Sequence, residues 1–138
     1  LYEASQAGVE IDLIIRGICC LIPGQKYSRN IRVTRIVDTF LEHARIWYFG
    51  NGGNPKLFLG SPDWMRRNLY RRIEAVTPIL DPDAKQELID MLSIQLSDKR
   101  KACFVDENLH NCWKSAHPLK EKVRSQYTFY EYLKERIE

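Results

Sequence analysis

The chain has 138 residues, 44% of them hydrophobic and 28% charged, and its net charge is +3. This composition excludes a disordered tail, a collagen-like chain and a low-complexity linker, and the length predicts a single domain over residues 1–138. Its apolar runs are far shorter than the ~20 residues of a membrane-spanning helix, and no signal peptide precedes them. We therefore expect a cytoplasmic protein without a transmembrane segment, and peripheral attachment to a membrane stays open.

The N-terminal elements predict a piece of a longer protein. Residues 2–7 have the pattern of the end of a helix, with Gly8 as its stop, and residues 9–16 (VEIDLIIR) predict a largely buried strand. The chain begins at Leu1 without Met, and no complete helix precedes the first strand. We therefore expect a fragment whose sheet lacks its first strand or strands.

The next elements alternate between loops and short strands. Residues 17–29 predict a loop, residues 31–37 a half-buried strand, and residues 38–42 a short helix with Asp38 as its cap. Residues 44–49 and 56–59 predict the two strands of a hairpin. The intervening Asn-Gly and Gly-Gly pairs supply the positive φ angles of a tight reversal.

The C-terminal half predicts two long helices. Ser61 and Asp63 are candidate caps of a short helix through Asn68, and residues 72–78 predict a strand. A helix follows over 81–97, then a short strand over 101–105, an irregular stretch over 106–118 and a helix over 121–137 with an aromatic stripe expected in the core. Together the elements predict an α/β (α+β) fold, a mixed sheet flanked by helices.

Cysteine and histidine positions predict no metal site in this chain. The adjacent Cys19 and Cys20 cannot form a CxxC knuckle, and a domain of this size needs no disulfides, so we expect all four cysteines to be reduced and buried. His110, Cys112 and His117 match no standard zinc spacing.

Positive charge is concentrated in residues 29–72, where nine basic residues outnumber three acidic ones. Eight of the nine are arginines, whose planar fork of donors suits phosphate oxygens. Two interpretations stay open at this point, a solvated basic face and a site for a phosphate-bearing ligand.

Polar side chains flank the predicted hairpin. His43 and Arg45 stand at the start of its first strand, and Ser61 and Asp63 follow the second, so the four are expected to converge at one edge of the sheet. Their pattern resembles the His-x-Lys…Gly-Ser-x-Asn/Asp motif of the phospholipase D superfamily, with Arg45 in place of Lys. From spacing alone, a catalytic and a structural His43 are equally open.

A broader resemblance covers residues 1 to about 100. Five segments are similar to the C-terminal part of bacterial polyphosphate kinase, the histidine-phosphorylating type with phospholipase-D-like domains: 14–20 (IIRGICC), 30–32 (NIR), 40–43 (FLEH), 49–53 (FGNGG) and 60–68 (GSPDWMRRN). The resemblance implies reversible transfer of the terminal phosphate of ATP to inorganic polyphosphate. It places the phosphorylated histidine in an upstream domain that this chain lacks, so we expect the chain alone to be inactive.

The same resemblance assigns roles to single residues. It implies that His43 is the second active-site histidine and binds phosphate, that Arg16 binds the nucleotide phosphate, and that Arg72 contacts phosphate. Supporting roles are expected for Arg45, Ser61, Asp63, Arg66, Arg67, Asn68 and Glu74. The expected partners are ATP or ADP, polyphosphate, the upstream domains and further copies of the full-length chain, but no nucleic acid, and Mg²⁺ is expected on ligands outside this chain.

Two other functions stay open. One is a phospholipase-D-like phosphodiesterase half-site, which would pair two such motifs, and the other is a non-catalytic module that binds polyanions.

Overall fold

A computed structural model describes residues 1–137 of the chain. Its strands are β1 (Ile11–Ile14), β2 (Ile31–Ile36), β3 (Ile46–Phe49), β4 (Lys56–Gly60), β5 (Val76–Pro78), β6 (Ala102–Val105) and β7 (Asn111–Trp113). Its helices are α1 (Tyr2–Gln6), α2 (Arg66–Arg71), α3 (Pro82–Ser97) and α4 (Ser125–Ile137), with 3₁₀ turns at Asn51–Gly53 and Pro118–Lys120. These elements form two compact units. The first comprises Leu1–Phe40 and the chain from Ser93 onward, and the second comprises Leu41–Leu92.

The first unit is built on a mixed four-stranded sheet in the order β1-β2-β6-β7. β1 runs parallel to β2, with Ile11 opposite Ile31, and the two remaining pairs are antiparallel. The buried side chains of Ile31, Val33 and Val105 form its core. Because burying an Ile or Val side chain contributes roughly 1.5–3 kcal/mol, these strands anchor the unit.

The second unit is an antiparallel three-stranded sheet in the order β3-β4-β5, followed by the first part of α3. The reversal between β3 and β4 uses positive φ angles at Asn51, Gly52 and Gly53, as the sequence predicted. At the end of β4, an added Cβ on Gly60 would lie 2.9 Å from the carbonyl oxygen of Ala75. Only glycine therefore allows this close approach to the backbone at Ala75, just before β5.

The α/β class with a mixed sheet is confirmed, and most elements lie where the sequence placed them. β2, the hairpin strands, α3 and β6 agree with their predicted ranges within about two residues. Gly8 has a φ of +92° just after α1, as expected for a helix stop. A separate antiparallel sheet was not predicted, and the single domain over residues 1–138 stays a prediction.

The helix predicted over residues 38–42 is absent from the structure, and that prediction was wrong. Asp38 does not cap a helix, because its carboxylate accepts hydrogen bonds from Arg124 Nε and Nη2 at 2.8 and 2.7 Å. Its side chain is only 1% exposed. Beside it, the Phe40 amide donates to Gln126 Oε1 at 2.8 Å. Contacts with the distant start of α4 thus take the place of helical hydrogen bonds in this segment.

Other boundaries also differ from the predictions. Ser61 and Asp63 do not cap α2, which begins at Arg66 and has no side-chain cap. The stretch predicted to be irregular contains β7, which pairs with β6. The first strand is shorter than predicted and only half-buried. The last helix begins at Ser125 rather than at residue 121.

Two predictions about burial were also wrong. Tyr127 and Tyr130 of the expected core stripe on α4 are 42% and 63% exposed. The Tyr127 ring lies instead against Phe40 and the Arg124 guanidinium. All four cysteines are free, as expected, but none is buried, and Cys20 and Cys112 are exposed.

In the part of the chain that the structure describes, no helix has the length and apolar character needed to cross a membrane.

Candidate functional site

His43 lies on a loop of the second unit, three residues before β3 begins. Its side chain is exposed, and its imidazole makes no hydrogen bond or ion pair with residues 1–137. Since β3 starts at Ile46, the argument that a strand directs His43 and Arg45 to the same face was wrong. Hydrogen bonds from the Arg45 side chain hold the loop instead.

Arg45 fixes this loop from within. Its Nη1 donates to the main-chain oxygen of His43 at 2.6 Å, while Nε and Nη2 donate to Asp63 Oδ1 at 3.0 and 2.7 Å. The Arg45 side chain is 18% exposed, so the pair is partly shielded from water. The Arg45 carbonyl also accepts from the Gly60 amide at 3.0 Å. One guanidinium therefore joins the backbone at His43 to the segment that follows β4.

Ser61, Asn68 and Glu74 form a neighbouring hydrogen-bonded group. Ser61 Oγ donates to Glu74, Asn68 Nδ2 donates to Glu74 Oε1 at 2.8 Å, and the Ala75 amide donates to Ser61 Oγ at 3.1 Å. The hydrogen bond from Ser61, followed by that from Asn68, lowers the pKa of the Glu74 carboxyl below its ordinary value. These contacts tie the end of β4 to the segment between α2 and β5.

The predicted convergence of His43, Arg45, Ser61 and Asp63 is therefore observed as two adjoining groups. Asp63 and the His43 backbone share Arg45, whereas Ser61 belongs with Glu74. The link from Gly60 to Arg45 connects the two groups. Each of these four side chains lies near the hairpin, and their functional roles stay predictions.

The arginines of the second unit that follow β4 are exposed. Arg66, Arg67 and Arg71 belong to α2, and Arg72 follows it directly. Both members of each adjacent pair are exposed, and the supporting roles expected for Arg66 and Arg67 stay predictions. The buried residue of α2 is Asn68. This short helix thus exposes three arginine side chains, while its Asn68 side chain is buried.

Two arginines of the basic stretch are held by protein groups in the first unit. Arg32 pairs with Asp12 and Glu10, with Nε 2.7 Å from Asp12 Oδ1. Arg35 donates to Asn111 Oδ1 and to the Gly17 carbonyl, at 2.8 and 3.0 Å. With Arg45, three of the eight arginines are occupied by internal contacts.

Arg16 is exposed and lies in the first unit, two residues after β1 ends. The Ile15 amide donates to the Thr34 carbonyl at 2.9 Å, and the Gly17 carbonyl accepts from Arg35. The backbone is thus fixed on both sides of Arg16, which suits a residue that must meet a ligand in one position. The anchoring role of Arg35 was missed, because nothing local in the sequence pairs it with Gly17.

Residues 1–137 contain no group of three or more His, Cys, Asp or Glu side chains that could hold a metal ion. His110 Nδ1 lies 3.6 Å from Asp106 Oδ2, and Cys112 Sγ lies 3.7 Å from the same oxygen. These contacts explain the proximity of His110 and Cys112 by an Asp-centred turn.

The fold and these sites define an α/β protein with a mixed sheet and exposed arginines suited to anions. A family model described as polyphosphate kinase C-terminal domain 2 matches residues 1–126. The chain belongs to this family, which confirms the resemblance seen in the sequence.

Curated relatives and a solved structure agree with this family. The chain is 59% identical over 103 residues to a polyphosphate kinase of Synechocystis, covering 74% of the chain and 14% of the relative. It is 46% identical over 135 residues to that of Escherichia coli K12, covering 97% of the chain and 20% of the relative. A crystal structure of polyphosphate kinase from Porphyromonas gingivalis is similar with a TM-score of 0.94 and 57% identity, over 99% of the chain and 21% of that structure. The chain thus spans a fifth or less of the length of these curated relatives.

Proposed function

We propose that the protein containing this chain is a polyphosphate kinase, which reversibly transfers the terminal phosphate of ATP to inorganic polyphosphate. The reaction would pass through a phosphohistidine in a domain upstream of this chain, and the full-length protein would be a cytoplasmic homo-oligomer. Family membership over residues 1–126 is the observation that carries this proposal.

Within that enzyme, His43 is the catalytic residue contributed by this chain. Its exposed imidazole, on a loop fixed by Arg45, is able to donate a proton or to stabilise charge on the phosphoryl group. Arg16 and Arg72 supply positive charge to the phosphates, and both are exposed. Phosphoryl transfer depends mainly on such positioning and charge neutralisation.

Arg45 and Asp63 act here as positioning residues. In a phospholipase-D-like phosphodiesterase, the residue at position 45 would contact the substrate phosphate. In this chain, Nε, Nη1 and Nη2 of Arg45 all donate to protein oxygens instead. This supports the kinase proposal over the phosphodiesterase alternative. Ser61, Asn68 and Glu74 support the segment after β4, and Arg66 and Arg67 extend the exposed positive charge of Arg72.

Mg²⁺ would neutralise the phosphates of bound ATP. Its ligands would come from other parts of the enzyme and from the nucleotide itself.

The test is the His43→Ala variant of the full-length protein. We expect synthesis of polyphosphate from ATP to fall at least ~100-fold, the usual loss when a proton-transferring group is removed. His110→Ala provides the matched control, because His110 is exposed and outside the proposed site, and it should retain normal synthesis. Near-normal synthesis by His43→Ala would remove His43 from the mechanism.

A further inference from the structure

A cavity of about 390 Å³ lies in the first unit, and its lining includes none of the residues to which the family resemblance assigns phosphate binding. Its lining residues are Arg100, Lys101, Trp113, Pro118, Leu119 and Arg124. Three of the six are cations and the other three are apolar or aromatic. Its volume is within the range of small-molecule sites, which combine apolar walls with a few polar groups.

The three cations differ in how they are held. Arg124 donates to Asp38 through Nε and Nη2 and to Thr39 Oγ1, so its fork is largely occupied. Lys101 Nζ lies 3.9 Å from Asp38 Oδ1, a longer contact on a partly exposed side chain. Arg100 is half-buried, and its guanidinium forms no ion pair or hydrogen bond with any residue from 1 to 137. An anion is therefore the acceptor that the Arg100 guanidinium lacks among these residues.

The acidic groups beside these cations do not meet that need. The buried carboxylate of Asp98 accepts from the backbone amides of Arg100, Lys101 and Ser125 at 2.7–2.8 Å. Asp38 accepts hydrogen bonds from Arg124 and lies near Lys101. Among the three lining cations, Arg100 is thus the one whose side chain has no acceptor in residues 1–137.

The apolar side of the cavity is formed by β7 and the turn that follows it. Trp113 lies opposite Cys103 in the sheet register, so the β6–β7 pairing sets its position. The indole is nevertheless 58% exposed, and Leu119 is 85% exposed. An exposed aromatic face beside a cation that lacks a protein acceptor is a combination that can stack a base while binding its phosphates.

We propose that this cavity binds a nucleotide, with its phosphates on Arg100 and Lys101 and its base against the Trp113 indole. Inorganic phosphates alone would use the cations and leave the indole uncovered. A neutral nucleoside would cover the indole and leave the Arg100 side chain without an acceptor. A nucleotide has both phosphates and a base, and so can contact both the cations and the Trp113 indole.

Amide hydrogen exchange in the full-length protein tests the proposal, because it locates ligand contacts along the chain. ADP should slow exchange in residues 110–123, and its half-saturating concentration should be at least about tenfold lower than that of tripolyphosphate, since stacking of one base is worth about 1–3 kcal/mol. Adenosine should give no protection.

Three variants sharpen the test. Arg100→Gln and Trp113→Leu should each raise the half-saturating ADP concentration about tenfold in this segment. Lys99→Gln is the matched control. It removes the same charge one residue before Arg100, and the Lys99 side chain does not line the cavity. Trp113 is exposed, so its replacement should leave the fold intact, and the circular dichroism of each variant checks this.

The outcomes separate this inference from the proposed function. Protection by ADP that is confined to the segments around Arg16 and His43 would overturn the cavity site and leave the kinase proposal standing. Equal protection by tripolyphosphate and ADP would also overturn it, because a site for the base would then not exist. Loss of protection in Lys99→Gln as large as in Arg100→Gln would reduce the effect to general charge attraction and overturn it as well.

Discussion

Among single residues, Arg45 has the most direct consequence for the proposed chemistry. The guanidinium holds the His43 carbonyl on one side and Asp63 on the other. A lysine retains the charge but has no planar fork, and so cannot hold both acceptors in this geometry. The side chain that resembles a phosphate ligand in the sequence is thus a support for its neighbour.

We expect Arg45→Lys in the full-length enzyme to lower kcat for polyphosphate synthesis by roughly 10- to 100-fold, because misplacing a reacting group by about 1 Å has effects of this size. KM for ATP should stay within about twofold, since the residue is not expected to touch the nucleotide. Steady-state kinetics measure both. Lys122→Arg, at an exposed position, is the control. A raised KM with unchanged kcat would contradict the positioning role.

Glu74 leads to a prediction about pH. Hydrogen bonds from Ser61 and Asn68 hold the pKa of its carboxyl below the ordinary 4.5. A depressed pKa in the folded state means that this stabilisation is complete above the unfolded value and disappears as pH falls through the folded one. The difference in thermal midpoint between wild type and Glu74→Gln should therefore be constant from pH 6 to 8 and shrink below about 4.5. Ser61→Ala should weaken this pH dependence, and an unchanged profile would refute the role of that hydrogen bond.

Among the elements, the predictable ones carry their signals within a few residues. α3 has a local cap, because the Ala84 amide donates to Asp81 Oδ1 at 2.8 Å, and Pro82 opens it. The hairpin carries its own glycine-rich turn. These elements could be predicted because neighbouring residues specify them.

The elements that the sequence did not predict depend on distant partners. Residues 38–42 are not helical because Asp38 is bound by Arg124, 86 positions away. β7 exists only as the partner of β6. The start of α4 is set by Asp98, whose carboxylate accepts from the Ser125 amide across 27 positions. In the candidate site, the same reasoning located Arg45 and Asp63 near each other but could not show that the guanidinium also binds the His43 backbone.

This distant cap of α4 leads to a stability prediction. Asp98→Ala would leave three backbone amides without their acceptor, one of them buried, so we expect a loss of about 3 kcal/mol in the free energy of unfolding. Asp81→Ala, which removes an exposed local cap of α3, should lose only about 1 kcal/mol. Urea unfolding of the two variants measures the difference. Equal losses would show that Asp98 is no more than an ordinary cap.

For the whole molecule, the chain spans a fifth or less of the length of its curated relatives, and we predict that it does not catalyse the reaction alone. The proposed phosphohistidine belongs to an upstream domain, so the isolated chain of residues 1–138 should produce no polyphosphate from ATP and form no stable phosphohistidine. Radiolabelled ATP detects both products, and circular dichroism establishes that the isolated chain is folded. Turnover by this folded chain would contradict the proposal that the reaction requires the upstream domain.

The first unit is discontinuous in sequence, and its sheet can therefore be completed only late in synthesis. Its sheet joins β2 to β6, with Thr34 opposite Phe104, and the whole second unit is synthesised between them. A nascent chain that has reached residue 92 holds β1 and β2 but neither β6 nor β7. Until those strands emerge from the ribosome, the inner edge of β2 is open to other chains, so slow translation beyond α3 would increase aggregation of the newborn protein.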